Sequence, residues 1–368
     1  MIDVSEFKEF LENELDINFY TGVPDSQLSS FCDYIENEYG IGNKHIIAPN
    51  EGNAVALASG YHLSTGKIPL VYMQNSGLGN IVNPVTSLTH ELVYSIPMIY
   101  LIGWRGEPGV KDEPQHAKQG KITLDLLKLL DIDYMVLTKD TTLDDIKINI
   151  KNKPFAFVVS KGAFKDFKIK KSNENKLSRE EAIKTIVNHL TDEDIIVSTT
   201  GKTSRELFEY REELDQGHNN DFLTVGSMGH SSSIALAIAL NKPQTNVFCF
   251  DGDGAILMHM GALALIGSNK PNNFYHILFN NQAHESVGGL PTIMGDIEIN
   301  KIAESCGYKN VFKASNKEEL TQILPDFLKE EGPVFLIVDV AIKSRKDLGR
   351  PTTTPIENKI NLMKKLNK

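Results

Sequence analysis

Short apolar runs alternate with amphipathic stretches along almost the whole chain, and this alternation restricts the fold more than any other feature. A run that is apolar at every position is a strand buried on both faces. The amphipathic stretches between such runs are the crossover helices that parallel pairing requires. In the N-terminal half the pattern predicts strands over 17–20, 45–48, 69–73, 98–102, 134–137 and 156–159, with helices over 27–38, 52–64, 81–91, 122–130 and 143–151. The C-terminal half repeats the plan, with a helix over 179–190 and strands over 195–198, 222–225, 247–250, 275–279, 310–312 and 334–338. The class is α/β, as two doubly wound parallel-sheet domains with no residue-level repeat between them.

Residues 165–175, KDFKIKKSNEN, are charged and aperiodic, and Ser178 and Glu181 then form the spacing of a capping box. The expected boundaries are a first domain at 1–164, a linker at 165–177 and a second domain at 178–368. Beyond Asp339 the text becomes a basic tail whose last part has the pattern of a short amphipathic helix.

The formal net charge of −10 argues against nucleic acid or an anionic membrane as a partner, so an anionic substrate would need a local cluster of cations. The N-terminus lacks the pattern of a secretory signal, and no apolar run approaches the ~20 residues that span a bilayer, so a cytoplasmic protein is expected. Cys32, Cys249 and Cys306 are isolated, with the spacing of neither a disulfide framework nor a zinc site.

Three stretches carry chemistry. Residues 246–289 read as a strand, the turn Gly252-Asp253-Gly254, a helix, a second strand and then Asn280-Asn281. An Asp and an Asn would thus stand at the carboxyl ends of two parallel strands, where such sheets bind ligands. Oxygen donors of that kind suit Mg²⁺, which leaves its remaining positions to phosphates. Next, the strand at 45–48 runs into Asn50-Glu51-Gly52 and a helix, placing a carboxylate at a helix start. Last, the segment 103–121 gathers Arg105, Lys111, His116, Lys118 and Lys121 among glycines and prolines. Arg105 could clamp an anion through two bonds, Lys111 could add a point charge, and His116 could shuttle a proton.

These stretches, with TGVPDS at 21–26, QNSGLGN at 74–80, TGKT at 200–203 and GSMGH at 226–230, resemble the thiamine-diphosphate-dependent decarboxylases. Within that family the resemblance is greatest to the phosphonopyruvate decarboxylases, with the sulfopyruvate decarboxylases next. It implies a pyrimidine-binding first domain, a diphosphate-binding second domain, and no middle domain. It further implies that Glu51 bonds the cofactor's aminopyrimidine, and that Thr200, Gly201 and Thr203 line the diphosphate together with Gly252, Gly254 and Ala255. Gly226 and Met228 would hold the cofactor bent. Asp253, Asn281 and the Ala283 carbonyl would bind Mg²⁺. Asp25 resembles an aspartate that helps protonate the carbanion left by CO₂, while His284 and Glu285 are substrate candidates with open roles.

The implied reaction is decarboxylation of 3-phosphonopyruvate through a thiamine ylid, in phosphonate biosynthesis. The implied assembly is a homodimer or dimer of dimers with active sites at the interface. Two alternatives stay open: a sulfopyruvate or other acidic 2-oxo acid decarboxylase or carboligase, and a non-catalytic thiamine-fold regulatory subunit.

Overall fold

A computed structural model describes residues 1–148, 150 and 153–367. The chain divides into two compact units, Met1–Lys170 with Val287–Leu290, and Lys171–Ser286 with the residues from Pro291 onward.

Each unit is a six-stranded sheet in which every pairing is parallel. The first contains β1 (Tyr20–Gly22), β2 (His45–Ile47), β3 (Leu70–Gln74), β4 (Ile99–Gly103), β5 (Asp133–Leu137) and β6 (Phe155–Val159), in the order β2-β1-β3-β4-β6-β5. The second contains β7 (Ile195–Ser198), β8 (Asp221–Leu223), β9 (Val247–Gly252), β10 (Phe274–Asn280), β11 (Asn310–Ala314) and β12 (Val334–Asp339), in the order β11-β12-β10-β9-β7-β8. Read from its other edge, the second order is the first with each strand renumbered. The repeat expected from the apolar pattern is therefore one of topology.

Alternate residues of each strand enter opposite cores, which is why the strands read as continuous apolar runs. In the first unit Tyr72 and Leu101 join the core under the helix Val4–Leu15, while Val71, Met73 and Ile102 join the other face with Ala54 and Val55. In the second, Phe248, Phe250 and Ile277 face one way and Val247, Cys249 and Leu278 the other.

Several expectations needed correction. The first helix, Val4–Leu15, was missing from the pattern reading; Asp3 caps it by accepting from Ser5 N, and Val4, Phe7 and Leu11 are its buried stripe. It ends at Asp16 in the left-handed region (φ 50°), so the chain pairs only from Tyr20 rather than from residue 17. The helix expected over 122–130 begins at Pro114, because proline preorganises a first helical turn. That over 81–91 is Leu78–Pro84 continuing as a π turn, Val85–Thr89. Of the helix expected over 143–151 there is one 3₁₀ turn, Leu143–Asp145, and its expected end at 151 lies outside the described residues. The helix between β9 and β10 is two pieces, Asp253–Met258 and Gly261–Asn269. The capping box at Ser178 and Glu181 is present, and the tail ends in the helix Pro355–Leu366. Among the described residues no helix is long and apolar enough to cross a membrane.

Candidate functional site

In each sheet the strand order reverses beside the first strand, at β1/β3 and at β7/β9, which is where open parallel sheets form a crevice beyond their carboxyl ends. Both crevices hold polar groups that the apolar strands cannot explain.

In the first unit, Asp25 follows β1 and is fully buried. Gln74, the last residue of β3, donates to its Oδ1 at 2.6 Å, and Gln27 N donates to Oδ2 at 3.0 Å. The end of β4 is Gly103, where any Cβ would overlap Asp25 Oδ2. Burial raises the Asp25 carboxyl above the ordinary range, with the Gln74 bond and more distant Arg105 opposing it. Glu51 opens the helix Glu51–Thr65, whose cap is Asn50 accepting from Asn53 N at 2.9 Å. Glu51 is 4% exposed; Asn80 donates to its Oε2 at 2.6 Å, and a Cβ at Gly77 would overlap its Oε1. Burial raises this carboxyl too, against the Asn80 bond.

Arg105 follows β4, and its fork is closed on Asp112: Nε donates to Oδ2 at 2.8 Å and Nη2 to Oδ1, while Nη1 donates to Ser26 Oγ at 2.8 Å. Asp112 also takes the Gly106 and Glu113 N–H groups at 2.8 Å, and His116 Nδ1 stands 3.0 Å from its Oδ1. Although burial works against it, this donor set holds Asp112 far below the usual carboxylate range. His116 lies in the first turn of the helix Pro114–Leu129, so the basic loop is shorter than 103–121. Lys111, Lys118 and Lys121 are exposed.

In the second unit, β9 and β10 are neighbours, with Gly252 opposite Phe279, so Asp253 and Asn281 leave adjacent strand ends. Asp253 is 4% exposed and accepts from Thr292 Oγ1 at 2.9 Å and Gly254 N at 2.8 Å. The Ala283 N–H donates to Asn281 Oδ1 at 3.0 Å. Burial pushes the Asp253 carboxyl up to about 6. The Ala283 carbonyl turns back to accept from Glu285 N at 2.8 Å.

Glu285 is held from three sides: Arg179 Nη1 and Asn281 Nδ2 donate to its Oε2 at 2.9 and 3.1 Å, and Lys202 Nζ lies 3.1 Å from Oε1. Burial alone would raise it, but Arg179 and Lys202 outweigh that and hold it below the usual range. Arg179 is itself buried, with Nε and Nη2 forked onto buried Glu206 at 2.7 and 3.0 Å. His284 packs its ring against Gly254, where a Cβ would meet Nδ1 at 3.0 Å, and burial lowers the imidazole to about 4.

Thr200 Oγ1 donates to Val225 O at 2.8 Å, tying its loop to the segment of Gly226 and half-buried Met228. Gly201 takes φ 93° with Ser286 Oγ beside it, and buried Thr203 follows in the helix Lys202–Glu213. Beside Gly252 there is open space, while Gly254 and Ala255 are buried. Cys249 is a free thiol buried in β9, as expected, and shares one face of the sheet with Asp251 and His276, their ligand atoms within 4.8 Å of one another. His276 Nδ1 lies 2.8 Å from Tyr308 Oη, while its Nε2 stands 3.5 Å from Asp251 Oδ2 without a hydrogen bond between them.

Residues 8–129 match the N-terminal TPP binding domain of thiamine pyrophosphate enzymes, and residues 199–338 match their C-terminal TPP binding domain. The chain is 32% identical to a phosphonopyruvate decarboxylase of Streptomyces viridochromogenes, over 93% of this chain and 90% of that one. The chain belongs to the thiamine-diphosphate-dependent decarboxylases. A phosphonopyruvate decarboxylase of Streptomyces hygroscopicus is also 32% identical, over 93% of this chain and 89% of its own. A sulfopyruvate decarboxylase of Methanosarcina acetivorans is 27% identical, over 86% and 87%.

Gln74, Asn80, Asp112, Arg179, Lys202 and Glu206 hold site carboxyls or cations in this decarboxylase without being expected from the sequence. Gln74 and Asn80 bound the QNSGLGN motif, and Lys202 lies in TGKT, so their polarity beside those motifs is the available signal. Arg179 and Glu206 are 27 residues apart and lie in helices that look ordinary until packed.

Proposed function

We propose that the chain decarboxylates 3-phosphonopyruvate to phosphonoacetaldehyde and CO₂, with thiamine diphosphate and Mg²⁺ as cofactors. The observation that carries the substrate is that the chain matches phosphonopyruvate decarboxylases at 32% identity over 93% of its length, against 27% over 86% for a sulfopyruvate decarboxylase of comparable coverage, while separate sulfopyruvate decarboxylase subunits match shorter stretches.

The donor chemistry fits the cofactors. Asp253 is a buried carboxylate with no ammonium or guanidinium bonded to it among the described residues, and a hard cation offsets that burial. Asp253, Asn281 and the Ala283 carbonyl would hold Mg²⁺. Thr200, Gly201, Thr203, Gly252, Gly254 and Ala255 would hold the diphosphate, Gly226 and Met228 the rings, and Glu51 the pyrimidine. When bound, thiamine diphosphate supplies the carbanion that adds to the keto carbon and the sink for the electron pair released with CO₂.

The rest of the work falls to side chains. The bond between keto carbon and carboxylate breaks, and one proton must reach the former keto carbon. Asp25 and Glu51 are the acids for proton transfer, because burial keeps both protonatable nearer neutrality. Glu285 stays anionic between Arg179 and Lys202 and orders those cations. His284 stays neutral beside the turn. Lys111 supplies charge to the phosphonate, while Arg105 and His116, joined through Asp112, shape the loop that carries it. Two copies of the chain would form the working unit, a homodimer or dimer of dimers, in the cytoplasm.

The test is ³¹P NMR of the purified chain incubated with phosphonopyruvate, thiamine diphosphate and Mg²⁺. The expected products are phosphonoacetaldehyde and CO₂ in equal amounts. Release of inorganic phosphate with pyruvate, marking P–C cleavage, would contradict the reading.

A further inference from the structure

Four carboxyls at the two crevices differ in what holds them. Asp112 and Glu285 are held by cations, Arg105 in one case and Arg179 with Lys202 in the other. Such partners fix the charge on the carboxylate. Asp25 and Glu51 are instead held by neutral amides from the segment 74–80, each at 2.6 Å. A neutral amide donates to one oxygen without adding charge, so it orients a carboxyl and leaves it able to take a proton.

Asn80 makes the more pointed case. The residue is exposed, yet its amide reaches a glutamate that is 4% exposed. Its backbone is also set in place, because the helix Leu78–Pro84 sits directly over Gly52, where a Cβ would lie 3.3 Å from Asn80 O and 3.8 Å from Pro84 Cγ. The other carboxyl oxygen, Oε1, rests on Gly77. The elements packed here, Asn75–Gly77 and Leu78–Pro84, carry no charged side chain, and among the described residues it is the Asn80 amide that donates to the carboxyl.

We propose that Asn80 is a positioning residue for Glu51: its amide fixes Oε2 as an acceptor and so assigns the exchangeable proton to Oε1, the oxygen seated over Gly77. The proposal rests on the reading of Glu51 as the acid that faces the cofactor. Removing the amide takes a hydrogen bond from the charged form, so the proton binds more tightly, by about tenfold for a bond of ordinary strength to a charged group. It also frees the carboxyl to rotate, and misplacement of about 1 Å costs on the order of 10²-fold in turnover.

Two readouts test this, one of them without cofactor. Isotope-edited infrared difference spectra of the cofactor-free protein follow the Glu51 carboxyl, with Glu51→Gln as the blank. Steady-state decarboxylation gives kcat and KM. For Asn80→Ala the expected result is a Glu51 midpoint about one unit higher, kcat lower by about 10²-fold and KM little changed, with Asn80→Gln recovering part of both. If either readout stays at the wild-type value, the proposal is overturned. If Glu51→Gln itself turns over at the wild-type rate, the underlying reading of Glu51 fails; if Glu51→Gln is inactive and Asn80→Ala is normal, only the positioning role fails.

Discussion

Arg179 donates to Glu285 Oε2 at 2.9 Å from a guanidinium whose other edge is forked onto Glu206, so one buried cation serves two carboxylates. Removing it leaves both without their main counter-charge. Arg179→Met is expected to cost about 3–5 kcal/mol, the usual range for breaking a buried pair from one side. Urea unfolding with unchanged slope would measure it. A loss under 1 kcal/mol would show that Glu206 and Glu285 do not depend on Arg179.

Gly77→Ala separates folding from function. Gly77 has φ −70° and ψ −14°, open to any residue, so the new methyl meets no backbone penalty. It meets the end of Glu51, which must swing aside. Secondary structure is expected to be unchanged by circular dichroism, while kcat falls by about 10²-fold through misplacement. Retained turnover would mean that the Glu51 position is not critical.

Two titrations near the Gly252 turn act in opposite directions. Asp253 is raised from 3.8 to about 6, so the metal-free native state binds the extra proton and this contribution is lost as pH rises through that window. His284 is lowered from 6.5 to about 4, so its contribution is lost as pH falls from 6.5 toward 4. Overall stability therefore mixes the two, and NMR of the His284 ring is the clean measurement. The ring is expected to be neutral at pH 6; a protonated ring there would contradict its burial.

Mg²⁺ competes with the Asp253 proton. Excess Mg²⁺ is expected to raise the melting temperature at pH 8 and to have little effect at pH 5, and Asp253→Asn should abolish the difference. An equal Mg²⁺ effect in Asp253→Asn would place the ion elsewhere.

How much of this was legible in the sequence follows from which interactions are local. Each strand appeared as an apolar run because both faces are buried, as Tyr72 and Met73 illustrate in neighbouring positions. The helix from Pro114 was hidden by glycines, prolines and charges that make 103–121 read as loop, and the one local signal was proline at a first turn. The Asp253 and Asn281 positions were legible because two strand ends and a turn place them. Partners such as Arg179 for Glu285 and Asn80 for Glu51 were not, since no periodicity links residues brought together only by packing. The same applies to Arg105: its charge was visible, but its pairing with Asp112 depends on how the loop folds back.

The central claim, that the chain releases CO₂ from a phosphonate-bearing 2-oxo acid, is tested most directly by kcat/KM for CO₂ release from phosphonopyruvate, sulfopyruvate and pyruvate, with thiamine diphosphate and Mg²⁺ saturating. The account predicts the highest value for phosphonopyruvate and little turnover of pyruvate. A preference for pyruvate, or no CO₂ from any of the three, would contradict it.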